Sequence, residues 1–242
     1  MEPRQQHPAK RQQPLPTPGD WSTDAGLRCC LLSGGASRRM GRDKALLPHP
    51  AGGCWLDHSL RQLAALGAPL TLLSGHDSHL SRASQLAASL AVPLELLQEP
   101  SPPQGPLIAL GRLMRHHPNQ LLLLCPVDMP ALDLATLRQL LQAASSADSS
   151  QSSQSDLSQA DSSQPSLIHV AHDGSQAQPL LGLYPADSRH RRSLEASLAG
   201  GERSLQRWLA VVGSQSVPLP AGPLLNANRP GDLDQFNRWD GS

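Results

Sequence analysis

The stretch CCLLSGGASRRMGRDKALL, residues 29–47, decides the fold of this chain. Its apolar start, which ends at Leu32, is typical of a buried strand, and Gly34 and Gly35 let the following backbone come close to a ligand. Four cations come before the next apolar pair: Arg38, Arg39, Arg42 and Lys44. Backbone N–H groups and cations would then converge on one anion. The stretch predicts a phosphate-binding loop at the end of a strand.

A plain glycine turn after an edge strand, with arginines that only face solvent, is the alternative interpretation. We favour the phosphate site because two glycines, four cations and Asp43 lie together directly after the strand. The loop is not a Walker A motif, since no Gly-Lys-Ser/Thr step closes it. It is not a GxGxxG dinucleotide fingerprint either.

The pattern LSGGxxxRMGxDKxLL resembles the N-terminal signature of the molybdenum cofactor guanylyltransferases. Further segments match that family in the expected order: GPLIAL at 105–110, LLLLCPVDMP at 121–130, QPLLGLY at 178–184 and NANRPGDL at 226–233. The first motif alone would indicate only the wider nucleotidyltransferase family. The ordered set indicates the guanylyltransferase branch.

Short apolar runs alternate with helical segments from Leu27 onward, which predicts right-handed parallel crossovers. The predicted strands lie at about 28–33, 70–74, 94–97, 120–125, 167–171, 178–184 and 214–218. The predicted helices lie at about 55–66, 79–90, 106–116, 134–144, 188–199 and 202–210, with a last one after Pro230. Asp173-Gly174 between two strands is a hairpin signal. The expected fold is a three-layer α/β/α, Rossmann-like, mostly parallel sheet with an antiparallel extension.

Two segments fall outside this pattern. Residues 1–26 form a Pro/Gln-rich tail, and residues 145–166 form a Ser/Gln/Asp-rich run; neither has hydrophobic periodicity, so we expect both to be disordered. The run departs from the family, where this junction is short, and we favour an inert linker over a phosphorylated or partner-binding segment. The nucleotidyltransferase domain is expected to span residues 27–238.

The amino-acid composition limits the classes of partner that we expect for this protein. Formal net charge is zero, which gives no global attraction to nucleic acid or to an anionic membrane, and with one Tyr, one Phe and four Trp the chain lacks stacking platforms. The four cysteines lack CxxC spacing and the ten histidines lack metal-ligand spacing, so we assign the histidines to the surface. We expect a cytoplasmic protein with no nucleic-acid and no membrane partner.

The resemblance implies nucleotidyl transfer, in which a phosphate attacks the α-phosphorus of a nucleoside triphosphate and diphosphate leaves. Such a reaction needs cations and a metal more than a general base, because the attacking phosphate is already ionised. We assign Arg39 and Lys44 as catalytic cations at the β- and γ-phosphates. Leu32, Ser33, Gly34 and Gly35 complete the nucleotide-binding loop, with the backbone N–H groups of Ser33 to Ala36 helping to hold the triphosphate.

Asp128 is the candidate metal ligand and contacts the nucleotide through that metal. It follows a predicted strand and lies between Pro126 and Pro130, which would hold one carboxylate at the strand's carboxyl end. Mg²⁺ prefers one or two carboxylates together with phosphate oxygens and water. The alternative role, an N-cap for the next helix, suits Asp133 better.

Base and acceptor recognition rest on weaker matches. The family's Asn after the second strand is replaced by Ser74-Gly75, and its Asp after the third strand corresponds to Glu99, which could accept hydrogen bonds from guanine or simply be a solvated charge. Asn226 and Asn228 resemble the family's NxNTP motif and are candidate acceptor ligands if they share one face of a strand; turn-forming amides are the alternative. Gln178 stands where the family commonly has His.

The expected activity is transfer of GMP from GTP to molybdenum-bound molybdopterin, which forms the guanine dinucleotide cofactor. Molybdoenzymes and other cofactor-biosynthesis proteins are then candidate partners. Gly34-Gly35, in place of the Ala-Gly of cytidylyltransferase relatives, favours GTP, while CTP or another phosphorylated acceptor is the alternative. A third hypothesis, an inactive regulatory or carrier protein on this fold, predicts loss of Lys44 or Asp128. Both residues are present.

Overall fold

A computed structural model describes residues 26–34, 42–100, 103–152, 167–227 and 232. Its strands are β1 Leu27–Leu32, β2 Leu70–Ser74, β3 Leu94–Gln98, β4 Leu121–Pro126, β5 His169–His172, β6 Ala177–Pro185 and β7 Gln215–Pro218. Its α-helices are α1 Trp55–Ala64, α2 Asp77–Ala87, α3 Pro106–His116, α4 Leu134–Ser152, α5 Ser188–Ala199 and α6 Leu205–Val212, and a 3₁₀ turn covers Lys44–Leu46. The predicted order of these elements is confirmed. The last predicted helix, after Pro230, lies outside the described residues except for Asp232.

All of these strands form one sheet in the order β3-β2-β1-β4-β6-β5-β7. The strands β3, β2, β1 and β4 are parallel, whereas β6 runs antiparallel between β4 and β5. The last strand, β7, is parallel to β5. The predicted fold class, a mostly parallel sheet with an antiparallel extension, is therefore confirmed.

The sheet has a hydrophobic core on each face. Cys29 and Leu31 pack into one core with α1, α2 and α4, while Cys30 packs into the other with α3, α5 and α6. The two cysteines face opposite sides, as the two-residue period of a strand requires. No helix among the described residues is long and apolar enough to cross a membrane.

Backbone hydrogen bonds hold the carboxyl ends of the four parallel strands together. Ser33 N–H donates to Leu73 O, Val127 N–H donates to Leu32 O, and Glu99 N–H donates to Ser74 O. Each bond joins the residue after one strand to the end of its neighbour. The loops that follow these strands therefore start from fixed positions along one edge, where open α/β sheets bind their ligands.

Helix α4 is longer than the predicted helix at 134–144 and continues to Ser152. Its polar extension contains no Gly or Pro, and the hydroxyls of Ser145 and Ser146 donate to the carbonyls of Leu141 and Gln142. These bonds satisfy the two hydroxyls within the helix without adding to its stability. The rest of the Ser/Gln/Asp-rich run, residues 153–166, lies outside the described residues, as does the tail before Gly26.

Candidate active site

Six of the described residues lie together along the edge of the sheet where the parallel strands have their carboxyl ends. We call this set the carboxyl-edge site: Ser33, Gly34, Asp43, Lys44, Glu99 and Asp128. Five of the six belong to loops that directly follow β1, β3 or β4 or lead into the 3₁₀ turn. Lys44 is the first residue of that turn.

Lys44 and Asp128 form an ion pair at the centre of this site. The Lys44 Nζ donates to Asp128 Oδ2 across 3.2 Å, although the two residues are 84 positions apart in the chain. Both side chains are mostly shielded from solvent, with exposed fractions of 13% and 23%. The structure thus brings together the predicted catalytic lysine and the predicted metal carboxylate.

The loop that carries Asp128 is held on both sides. Asp133 Oδ1 accepts a 2.7 Å hydrogen bond from Thr136 N–H in the first turn of α4, so Asp133 caps that helix as predicted and leaves Asp128 for another role. His49 and His58 contact the carbonyls of Pro130 and Leu132 at 2.9 and 3.3 Å. Burial and the charge of His49 lower the pKa of His58 to about 4, so its ring is neutral at pH 7.

Asp128 also has the chemistry that a magnesium ion needs. Its Oδ1 is buried and has no hydrogen-bond partner among the residues that the structure describes. A buried carboxylate oxygen without a donor is unfavourable unless a cation or water completes it. Hard oxygen ligands of this kind suit Mg²⁺.

A second group of ligand atoms lies elsewhere. In the described part of the chain, Glu95, His116 and His117 form a group that could hold a metal ion, since their three ligand atoms lie within 4.8 Å of one another. Glu95 lies near the start of β3 and the histidines lie at the end of α3, which is the opposite edge of the sheet from Asp128. The Arg28 guanidinium is 3.6 Å from Glu95 Oε2 and already supplies a cation there. We therefore place the candidate metal site at Asp128.

Glu99 lies directly against the glycine that follows β1. A side-chain carbon added at Gly34 would be 2.6 Å from Glu99 Oε2, so any larger residue would displace the carboxylate. Glu99 itself is 8% exposed. Burial raises the pKa of its carboxyl, while the charges of Arg112 and His76 act in the opposite direction. Gly34 therefore allows a carboxylate to approach the backbone of the phosphate loop.

His79 is a residue of this region that sequence reasoning missed, because we assigned all histidines to the surface. It is 3% exposed and contacts Asp43, Ser33 and Ser74 with its two ring nitrogens. Three more histidines also contradict that assignment: His117, His169 and His190 are 5%, 2% and 4% exposed. The contacts of His79 with Asp43 and Ser33 join residues that are 36 and 46 positions apart, which no local sequence pattern indicates. The contact of His190 with Asp187 spans only three positions.

Two residues of the predicted nucleotide-binding loop already use a backbone group in bonds to neighbouring strands. The N–H of Ser33 donates to Leu73 O, so this group is already used and does not serve as a phosphate donor. Leu32 is half-buried, and its carbonyl accepts from Val127. Gly35, Ala36 and Arg39 lie outside the described residues, and their roles remain predictions.

The candidate acceptor residue Asn226 lies in a loop, not on the strand that we expected. The loop reaches the site because Ala227 N–H donates to Asp128 O at 2.9 Å. The Asn226 amide donates to Gln178 Oε1, and Gln178 in turn donates to Asp173 Oδ2. Gln178, which stands where the family commonly has His, thus links Asn226 to Asp173. Asn228 lies outside the described residues.

Comparisons with known proteins agree with this geometry. The family model described as MobA-like NTP transferase domain matches residues 29–216. The chain belongs to this family. The resemblance inferred from the ordered motifs is confirmed, and the MobA-like range includes Lys44, Glu99 and Asp128 but ends before Asn226. The chain is accordingly a nucleotidyltransferase.

Relatives and solved structures extend over most of the MobA-like chain. A "Probable molybdenum cofactor guanylyltransferase" of Rhodopirellula baltica is 31% identical over 208 residues, covering 84% of this chain and 88% of the relative. A protein of the same name from Synechococcus elongatus is 33% identical over 207 residues, covering 84% and 93%. The structure of 4-diphosphocytidyl-2C-methyl-D-erythritol synthase from Anaerococcus prevotii matches with a TM-score of 0.64 at 8% identity, covering 89% of this chain and 96% of its own. That last match shows the fold alone.

Proposed function

We propose that this protein is a molybdenum cofactor guanylyltransferase, which transfers GMP from GTP to the terminal phosphate of molybdenum-bound molybdopterin and releases diphosphate. The observation that carries the proposal is the Lys44–Asp128 pair, which joins a cation and a partly unsatisfied carboxylate at the carboxyl edge of a nucleotidyltransferase sheet. The names of the relatives support the choice of GTP and of the molybdopterin acceptor.

The reaction requires charge neutralisation and alignment. A phosphate oxygen of the acceptor attacks the α-phosphorus of GTP, and the bond from that phosphorus to the oxygen bridging the α- and β-phosphates breaks as diphosphate leaves. Because the acceptor phosphate is ionised at neutral pH, no side chain has to remove a proton from it. Lys44, already at the edge where the phosphates would bind, neutralises charge that accumulates on the leaving diphosphate.

Asp128 is the residue that would hold Mg²⁺, which when bound supplies further positive charge beside the triphosphate. The buried Oδ1 is the atom available for this contact. The loop is kept in position by the contacts of His49 and His58 with its carbonyls. Arg39 is proposed as a second cation on the phosphates.

Glu99 is proposed to read the guanine base. A carboxylate presents two acceptor oxygens, which match the N1–H and N2–H donors along one edge of guanine, whereas cytosine offers no such pair of donors. Its position against Gly34 places these oxygens beside the loop that would hold the triphosphate. Asn226 is proposed to bind the acceptor, since its loop is bonded to the backbone of Asp128.

A reducing cytoplasm suits this proposal, because each of the four cysteines is a buried free thiol. Molybdoenzymes or other proteins of cofactor biosynthesis are the proposed partners that receive the product.

The direct test is to incubate the protein with molybdenum-loaded molybdopterin, Mg²⁺ and each of the four nucleoside triphosphates in turn. We expect the guanine dinucleotide product and diphosphate with GTP only. Equal or faster turnover with CTP would contradict the guanine assignment and support the cytidylyltransferase alternative. No turnover with any triphosphate would contradict the proposed function as a whole.

A further inference from the structure

We infer that His79 is a positioning residue for nucleotidyl transfer, because its ring ties Asp43 to the ends of β1 and β2 and thereby fixes the 3₁₀ turn that carries Lys44. The inference rests on the proposed function for the reaction that it serves. His79 lies in the first turn of α2, outside the sequence motifs described above. Among the residues that the structure describes, the hydrogen-bond partners of its ring are Ser33, Ser74 and Asp43, so its effect on Lys44 and Asp128 passes through Asp43.

The ring of His79 joins the two flanks of the phosphate loop. Its Nε2 is 2.7 Å from Asp43 Oδ2, and its Nδ1 is 2.8 Å from Ser33 Oγ. An ionised carboxylate only accepts hydrogen bonds, so Nε2 carries a hydrogen and donates to Asp43. Nδ1 lies between the Ser33 hydroxyl, at 2.8 Å, and the Ser33 carbonyl, at 3.0 Å. It accepts from the hydroxyl in the neutral ring and donates to the carbonyl when the ring carries both hydrogens. One side chain thus holds the residue before the loop and a residue after it.

A second strand end takes part through Ser74. The Ser74 hydroxyl donates to Ser33 O across 2.7 Å. The oxygen of that hydroxyl, Ser74 Oγ, is also 3.0 Å from His79 Nδ1. Ser33 and Ser74 are both almost completely buried. Buried polar networks whose members all have partners select a single arrangement of the groups that they join. The network therefore holds Asp43 in a fixed position relative to the ends of β1 and β2.

Asp43 in turn holds the 3₁₀ turn that begins at Lys44. While Oδ2 faces His79, Oδ1 accepts a 3.1 Å hydrogen bond from Ala45 N–H and so caps the 3₁₀ turn. Lys44 is the residue between them, and its Nζ reaches Asp128 Oδ2. Misplacing a reacting group by about 1 Å can cost roughly 100-fold in rate. If His79 releases Asp43, the capped turn loses its attachment to the strand ends, and the backbone of Lys44 can shift with it.

A buried histidine can also serve folding alone, and His190 provides the matched control. It is as buried as His79, and its Nδ1 contacts Asp187 Oδ2 at 2.8 Å. It belongs to α5 and lies on the opposite face of the sheet, where Asp187 caps that helix. Substitution of His190 should affect stability without a specific effect on transfer.

The experiment compares His79→Gln with His79→Asn, and both with His190→Asn. The Gln amide extends to the position of Nε2 and can still donate to Asp43, whereas the Asn amide ends near the position of Nδ1. We expect His79→Asn to lower kcat/KM for GTP by roughly 10- to 100-fold in folded protein, and His79→Gln to restore most of that loss. His190→Asn should lower the melting temperature and leave kcat/KM of the folded enzyme unchanged.

Asp43→Ala, alone and combined with His79→Asn, tests whether His79 acts through Asp43. We expect the double variant to be no slower than Asp43→Ala, because the contact is already lost. Losses that multiply would overturn the inference. So would wild-type kcat/KM in folded His79→Asn, or equal losses in His79→Asn and His79→Gln.

Binding of each Mg²⁺-nucleoside triphosphate, measured by calorimetry, separates this inference from the proposed function. If the wild type transfers GMP but His79→Asn does so equally well, the positioning role is wrong and the proposed function stands. If the wild type binds another triphosphate and does not transfer GMP, the proposed function is wrong. In that case weaker binding of that triphosphate by His79→Asn, restored in His79→Gln, supports the positioning role, and equal binding overturns it.

Discussion

The amino and carboxyl edges of the parallel sheet both carry a cation, a carboxylate and histidines. The two edges differ in how completely these side chains find hydrogen-bond partners. At the amino edge, Arg28 donates to Gln120 and Thr71, and Glu95 is 2.5 Å from the Nε2 of His116. At the carboxyl edge, Asp128 keeps a buried oxygen with no hydrogen-bond partner among the described residues. The same chemical groups thus make a closed network at one edge and an incomplete one at the other.

This difference indicates where ligands bind more clearly than charge does. A closed network such as that of Arg28, Thr71 and Glu95 stabilises the protein and has little to offer a substrate. An unsatisfied buried oxygen beside a lysine costs stability in the free protein and gains a partner when a cation binds. The carboxyl edge also has a carboxylate pressed against Gly34, an approach that only glycine permits. The predictions that follow test this contrast between the edges.

Substitutions at the carboxyl edge should have the largest effect on turnover. Asp128→Asn should remove metal-dependent transfer, and Lys44→Ala should weaken GTP binding and slow transfer, because each change removes charge that stabilises the transition state. Loss of one such group typically costs about 10²–10³ in rate, or ~3–4 kcal/mol. Steady-state kinetics at several Mg²⁺ concentrations, with folding checked by circular dichroism, measures both.

Glu95→Gln at the amino edge is the matched control for Asp128→Asn, since both replace a carboxylate by its amide. Its kcat/KM should stay close to that of the wild type. Near-wild-type activity of Asp128→Asn at saturating Mg²⁺ would remove the metal assignment and with it the contrast between the two edges.

Glu99→Gln should have the next largest effect and should be specific for the base. Losing hydrogen bonds to a charged acceptor costs about 1.5–3 kcal/mol, so GTP affinity should fall by roughly 10- to 100-fold while affinity for other triphosphates changes little. Calorimetry with GTP and with inosine triphosphate, which lacks the N2 amino group, would measure how much of that loss each donor accounts for. Equal losses for all triphosphates would show that Glu99 supports the loop and does not read the base.

The pH dependence of GTP binding gives a second test of Glu99. Burial raises the pKa of this carboxyl, with Arg112 and His76 opposing the shift. Guanine binding needs the ionised form, so affinity should decrease on acidification at a higher pH than an ordinary Glu would cause. The Glu99→Gln variant should lose that dependence, and an unchanged pH profile in the variant would contradict the assignment.

Which parts of these edges could be predicted from sequence depends on how local the signal is. Strands and helices follow from runs and periods of apolar residues, and Asp128 could be placed because it directly follows β4. The contacts of His79 could not be predicted, since Asp43 and Ser33 are 36 and 46 positions away. The extension of α4 was missed because residues 145–152 have no apolar periodicity, which is the signal that predicts a helix from sequence.

At the amino edge, His117 should affect stability and not turnover. Burial lowers the pKa of His117 to about 4, whereas an unfolded histidine titrates near 6.5. As the pH falls from 7 to 5, the unfolded chain takes up a proton that the folded protein excludes. The free energy of unfolding should therefore decrease by about 1–2 kcal/mol through this residue. Urea denaturation of wild type and His117→Gln at both pH values measures the difference.

A flatter change of stability with pH in His117→Gln than in the wild type is the expected result, together with an unchanged kcat/KM at pH 7 in folded protein. His58, whose pKa is lowered in the same way, remains in both proteins and contributes equally to each. If the free energy of unfolding changes equally with pH in both proteins, His117 is not the residue that takes up the proton on unfolding.

His116→Gln should have the smallest effect of all and gives the sharpest test of the amino edge. His116 and Glu95 are 42% and 40% exposed, and exposed ion pairs contribute about 0–1 kcal/mol, so stability should barely change. The variant nevertheless removes one of the three ligand atoms that lie within 4.8 Å of one another. If the metal needed for transfer bound there, turnover at limiting Mg²⁺ would fall at least tenfold, as it should in Asp128→Asn. We expect the Mg²⁺ dependence of His116→Gln to match that of the wild type, because Arg28 already neutralises Glu95 and the orphaned oxygen lies at the other edge.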